Sequence, residues 1–242
     1  GVKNIYLATP SLDSKINPAI VYAAKKCGVK KIYKTGGAHT IAALAYGTKK
    51  IEKVDKIVGP GNTFVACAKK AVFGDVGIDM VAGPSEVSIV ADKTADPDLV
   101  AADLIAQAEH DIHAQSILIT DNKNLIRLVN LSLKKQLKQL PKRKIASQSL
   151  KNFGLSILTN NVKKIPEIVN TIAPEHLELC TNINKKILKE IKNVGSIFIG
   201  KFSPEAIGDY MAGPNHVLPT SGSARFSSGL SVNDFLKRHS LI

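Results

Sequence analysis

The chain has 242 residues, 44% of them hydrophobic and 22% charged, with a formal net charge of +13. That length can bury a sizeable core in one large domain or two smaller ones, no apolar run approaches the ~20 residues that span a bilayer, and no secretory signal opens the chain. The basic excess does not read as a nucleic-acid surface: only four of the 33 basic residues are Arg, the type favoured for bidentate base and phosphate contacts, and scattered surface lysine, densest from Lys134 to Lys144, is the simpler account.

The first third alternates strand-like and helix-like segments. Asn4–Ala8 reads as a strand and Ile20–Cys27 as a helix stopped by Gly28. Lys31–Lys34 is a second strand, running into Gly36-Gly37 and a helix over Ala38–Tyr46. Lys56–Val58 is a third, running into Gly59-Pro60-Gly61-Asn62 and a helix over Thr63–Val72. Three repeats of strand, tight turn and helix predict βαβ units and a parallel sheet. A second part begins near Gly83, with a buried strand at Val87–Ala91. A helix runs from Asp96, a good N-cap followed by Pro97 at the first helical position, to His110. Then come a strand at Ser116–Thr120, a long helix over Asn122–Leu140, a strand at Gly154–Thr159 and a helix over Val162–Ile172 that contains Pro166. Glu175-His176 read as a helix start after Pro174. A helix over Lys185–Asn193, a strand at Ser196–Ile199 and a polar, irregular stretch from Gly200 to Gly229 complete the pattern. The fold class expected is α/β, with two related, incomplete Rossmann-like lobes and parallel sheets: residues 1–82, residues 83–228, and the start of a tail at 229–242. The opening residue, Gly1, reads as lying inside a strand, and a truncated chain is expected. Cys27, Cys67 and Cys180 form no CxxC pair and read as reduced, buried thiols of a cytoplasmic protein.

Several places could hold chemistry. On the Asp96–His110 helix, residues three and four apart share a face, which groups Asp103, Gln107 and His110. Such a face could bind metal, although Gln is an uncommon zinc ligand and surface decoration is the simpler account. The two glycine turns each present a helix N-terminus to a possible anion, but neither matches GxGxxG, and a plain βα turn explains both. Glu175 and His176 could divide water activation and proton transfer, or be two polar residues in a helix's first turn. Asp209 and His216, seven residues apart in the Gly-rich stretch, could bind metal or substrate, or simply solvate a loop.

Taken together, Gly36-Gly37-Ala38-His39, Val54-Asp55-Lys56-Ile57-Val58-Gly59-Pro60-Gly61-Asn62, Ile78-Asp79-Met80, Gly83-Pro84-Ser85-Glu86, Gln107-Ala108-Glu109-His110, Ala173-Pro174-Glu175-His176-Leu177, Gly208-Asp209-Tyr210 and Asn215-His216-Val217-Leu218-Pro219-Thr220 resemble histidinol dehydrogenase, in order and from end to end. The resemblance implies a zinc enzyme of the last step of histidine biosynthesis. It oxidises L-histidinol to L-histidine through bound L-histidinal with two NAD+. By that likeness Gln107, His110 and Asp209 ligate zinc and, with Ser85, His176 and His216, meet the substrate. Glu175 activates water, His176 is the general base, and His39 and Asn62 contact NAD+. His39 departs from the family, which usually has Gln there. The likeness also implies a homodimer exchanging a C-terminal tail that carries a further zinc-ligating His and a substrate-contacting Glu. No nucleic-acid or membrane partner is expected. The alternative is a non-catalytic, truncated fragment of that enzyme.

Overall fold

A computed structural model describes residues 2–11, 15–182 and 185–242, and of Lys185 and Lys186 only the backbone. Gly1, read from sequence as strand, lies outside the described residues. The chain divides into two compact units, Gly1–Ala82 with Ser231–Ile242, and Gly83–Leu230.

In the first unit β1 (Tyr6–Ala8), α1 (Pro18–Lys26), β2 (Lys31–Tyr33), α2 (Ala38–Tyr46), β3 (Lys56–Ile57), α3 (Thr63–Val72) and β4 (Gly77–Ile78) follow one another. β1 pairs with β2 and β3 with β4, both parallel, as two separate two-stranded sheets. The strands are shorter than expected because only two or three residues per strand find a partner, and β4 was not foreseen. Ile41, Leu44 and Ala45 of α2 bury against Ile57, Val72 and Val76. That is the apolar face a 3.6-residue period sets aside. The Ser231–Ile242 segment contributes Phe235, over whose ring the Lys56 ammonium lies 5.3 Å from the centroid.

The second unit is a five-stranded parallel sheet: β5 (Glu86–Ala91), β6 (Gln115–Thr120), β7 (Gly154–Leu158), β8 (His176–Cys180) and β9 (Ser196–Ile199), in the spatial order β7-β6-β5-β8-β9. Counted within the unit this is 3-2-1-4-5, the doubly wound arrangement with its reversal between the first and fourth strands. Helices cover both faces. α4 (Pro97–Ala108) and α5 (Lys123–Leu137) bury Val100, Ala101, Leu104, Leu125 and Val129 against Val87, Ile89 and Leu118. On the other face α7 (Ile165–Ile172) and α8 (Lys185–Glu190) cover Val90, Ile117, Ile119, Leu177 and Leu179. No helix among the described residues is long and apolar enough to cross a membrane.

Several boundaries differ from the sequence reading, for local reasons. α4 ends at Ala108, so Glu109 and His110 sit in the turn after it. The helix expected to reach Leu140 stops at Leu137, and a second amphipathic helix, α6 (Arg143–Phe153), follows Pro141. Pro166 conflicts with nothing, because a 3-10 turn at Val162–Lys164 precedes α7 and places the proline in its first turn, where its missing N–H is unneeded. The stretch from Gly200 to Gly229 is not wholly irregular: α9 (Ala206–Tyr210) lies within it and carries Asp209. Two of the thiols expected to be buried, Cys27 and Cys67, are exposed; Cys180 is partly buried.

Candidate active site

The reading of Glu175-His176 as a helix start is incorrect, and the correction defines the site. α7 ends at Ile172, and the next residue, Ala173, is held in the left-handed region at φ 52° with its N–H on the Val169 carbonyl at 2.7 Å. A non-glycine residue in that conformation is strained, and it turns the chain directly into β8. His176 is the first residue of that strand and pairs in register with Val87 of β5.

Strand periodicity then sorts β8 into two faces. Leu177 and Leu179 point to the α7 side, while His176, Glu178 and Cys180 point to the α4 side. α4 answers with its own polar stripe, Asp103 and Gln107, four apart. Asp103 and Glu178 share a carboxyl hydrogen bond, and burial raises the pKa of both, Glu178 to about 9. The pair therefore holds a proton near neutral pH. Glu178 Oε1 also accepts the backbone N–H of Glu205 at 2.6 Å.

Both carboxylate and imidazole are fixed from β5. Glu86 donates its backbone N–H to Glu175 Oε2 at 3.1 Å, and the Ser85 side chain also bonds that carboxyl. Burial pushes Glu175 up to about 8, so its ionised form is a stronger base than a solvated glutamate. His176 Nδ1 lies 2.9 Å from the Glu86 carbonyl oxygen. A carbonyl only accepts, so Nδ1 carries the hydrogen, as assigned from its partner. Nε2 is then the lone-pair atom, 2.9 Å from His216 Nε2, whose ring stacks on it at 4.8 Å between centroids. Burial lowers His176 to about 4. The imidazole is thus neutral at physiological pH with its lone pair at Nε2, and burial makes it a weaker base than a solvated histidine.

Three further expected residues of the second unit, His216, Asp209 and His110, stand near this pair. Asp209 Oδ1 is 3.6 Å from His216 Nε2. The charges of Asp209 and His110 both act on His176, and that of Asp209 on Glu175, so the fold brings both residues to the same place. Gln107 is only 1% exposed, and neither atom of its amide has a hydrogen-bond partner. Surface decoration therefore does not describe Gln107. An unpaired buried amide costs about 1–3 kcal/mol and is accounted for when its oxygen meets a ligand. Among the described residues no three of His, Cys, Asp and Glu gather as a metal-holding group. The expected set contains only two such residues beside Gln107, so the donor types fit an incomplete zinc shell rather than a closed one. His39 and Asn62 lie in the first unit. Asn62 caps α3 through the Val65 N–H at 3.1 Å, and His39 Nε2 is 3.2 Å from the Thr35 hydroxyl.

Sequence reasoning missed Glu205 as a site residue. It is buried, its Oε2 lies 3.2 Å from His176 Nδ1, and burial raises it to about 8. It also missed where the site lies. Ser85, Glu86, Glu175 and His176 stand at the amino ends of β5 and β8, opposite the carboxyl edge at which doubly wound sheets usually bind ligands. Glycine is required beside it. A Cβ on Gly195 would stand 2.5 Å from the Glu175 carbonyl oxygen, which already accepts the Ser196 N–H at 2.9 Å. Gly195→Ala is expected to cost about 1–3 kcal/mol by overpacking, read as a lowered urea midpoint, and to slow turnover by displacing Glu175.

The whole of this chain, residues 1–242, matches a family model described as histidinol dehydrogenase. It is 57% identical over its full length to a histidinol dehydrogenase from Pelagibacter ubique, and 56% identical to one from Clostridium acetobutylicum. A crystal structure of histidinol dehydrogenase from Elizabethkingia anophelis superposes with a TM-score of 0.94 at 47% identity and covers 98% of the chain. The chain spans only 57%, 56% and 55% of those three proteins.

Proposed function

Because the chain belongs to the histidinol dehydrogenase family, we propose that it supplies most of an active site that oxidises L-histidinol to L-histidine with two NAD+. The observation that carries this reading is His176: buried, neutral, fixed at Nδ1 by the Glu86 carbonyl and open to a proton only at Nε2. An alcohol oxidation needs a base at the hydroxyl before hydride can leave, and this ring is built to be one.

Gln107, His110 and Asp209 are the residues that would hold zinc, and the unpartnered buried amide of Gln107 supports that assignment. Bound there, the metal would supply Lewis-acid polarisation of the substrate oxygen and fix its orientation, and NAD+ would accept hydride. The chain's own residues do the rest. His176 takes the hydroxyl proton at Nε2 as the alcohol becomes aldehyde. Glu175, in the ionised fraction that a pKa of about 8 leaves at neutral pH, takes a proton from water as that water adds to the aldehyde carbon. His176, having released its first proton to solvent, then takes a proton from the hydrate as the second hydride departs. Ser85 holds the Glu175 carboxyl, and His216, stacked on His176, is placed to meet the substrate as well. In the first unit His39 and Asn62 contact the dinucleotide. The remaining protein ligand to zinc and a substrate-contacting Glu come from a second subunit's tail, and the reaction belongs to the cytoplasm.

The test is direct. Full-length protein loaded with zinc and given L-histidinol and NAD+ is expected to form two NADH per histidinol, with no free aldehyde trapped by a carbonyl reagent. One NADH per alcohol, or none, would falsify the proposal.

A further inference from the structure

Lys69 and Asp79 form a buried ion pair in the first unit, their side chains only 4% and 1% exposed. Such a pair gains little over an apolar pair of the same volume, so its presence asks what else the two groups hold. Both reach the same backbone residue. Lys69 Nζ, besides pairing with Asp79 Oδ1, donates to the Gly59 carbonyl oxygen at 3.0 Å. Asp79 Oδ2 accepts the Gly59 N–H at 2.8 Å. The polar atoms of Gly59 are thus held from two directions, by α3, which carries Lys69, and by the end of β4, after which Asp79 donates its N–H to the Ile57 carbonyl at 3.3 Å. Gly59 sits at φ 121°, a conformation L side chains rarely adopt, and a Cβ there would meet nothing within 4 Å. Conformation, not crowding, demands the glycine. Pro60 and the Asn62 cap constrain their own positions, but the N–H and carbonyl of Gly59 are held by the ion pair.

We propose that Lys69 and Asp79 are positioning residues that clamp the Gly59–Asn62 turn in the shape that receives the dinucleotide. This rests on the reading that the turn contacts NAD+.

Three variants of the full-length protein test it, with NAD+ affinity read by calorimetry. Lys69→Met leaves Asp79 buried and unpaired, and is expected to lower both stability and NAD+ affinity. Lys69→Met/Asp79→Leu removes both charges and is expected to recover the urea midpoint while NAD+ still binds about tenfold more weakly, because Gly59 remains unheld. The L-histidinol KM and zinc content are expected to stay at parental values in this double variant. Asp79→Asn, which keeps the shape, is expected to show the same NAD+ shift in milder form. A merely structural pair would let the double variant recover NAD+ affinity along with stability, and that result overturns the proposal. If the double variant fails to fold, Asp79→Asn decides: parental NAD+ affinity there overturns it equally. Asn62→Ser keeps the helix cap but loses the amide. If it binds NAD+ normally while the clamp variants do not, the Asn62 contact is wrong and the clamp stands. If it binds weakly while the clamp variants bind normally, the clamp alone falls.

Discussion

His176→Ala in the full-length protein is expected to lower turnover by about 10²- to 10⁴-fold while the protein keeps its zinc and its fold. The loss follows from the position of the ring. Nδ1 is committed to the Glu86 carbonyl at 2.9 Å, so Nε2 is the proton acceptor, and burial holds the group at about 4, neutral wherever the enzyme would work. Glu175 cannot replace it at neutral pH. Its carboxyl is pushed to about 8, so most of it is protonated there, and it is tied to the N–H of Glu86. Zinc is expected to stay because His176 is bonded to Glu86 and His216 rather than belonging to the proposed ligand set. Steady-state kinetics and metal analysis on one preparation check both halves. A zinc-free His176→Ala protein would show that the ring is a ligand rather than a base.

His110→Ala is expected to lose the metal, with affinity falling by about 100-fold or more, since even an outer partner of a zinc ligand is worth about 10- to 100-fold. His110 stands in the exposed turn after α4 and carries none of the core. Its loss is therefore expected to leave the urea midpoint of the metal-free protein unchanged, which separates a ligand from a structural residue. The measurement is zinc content after dialysis against a buffered metal supply. Parental zinc in this variant would contradict the assignment and leave the buried Gln107 amide without its explanation.

Much of the framework was legible because it rests on local rules. Asp96 followed by Pro97 marked the start of α4, and its side chain does accept the Asp98 N–H at 2.8 Å. Gly47 after Tyr46 likewise marks the end of α2 through a group next to it in the chain. The site was less legible. His176-Leu177-Glu178-Leu179 alternates polar and apolar, a strand pattern, yet the proline and glutamate before it mimic a helix start. Reading it as a strand would have shown Glu178 beside His176 and directed attention to the acids facing α4. Glu205 offered no such signal, since nothing near it in sequence marks it as buried.

The sequence by itself determined the α/β class, most of the alternating strands and helices, and the family to which the chain belongs, because caps, turns and periodicities are set by neighbours in the chain and the motifs occur in a fixed order. Only the tertiary structure decided that Gln107 is buried without a partner, that β8 turns His176 and Glu178 toward α4, and that the site lies at the amino ends of β5 and β8. Those facts depend on which strand pairs with which, and parallel pairing between β5 and β8 joins Glu86 to His176, residues 90 apart in the chain. No rule confined to a few neighbouring residues reaches across that distance.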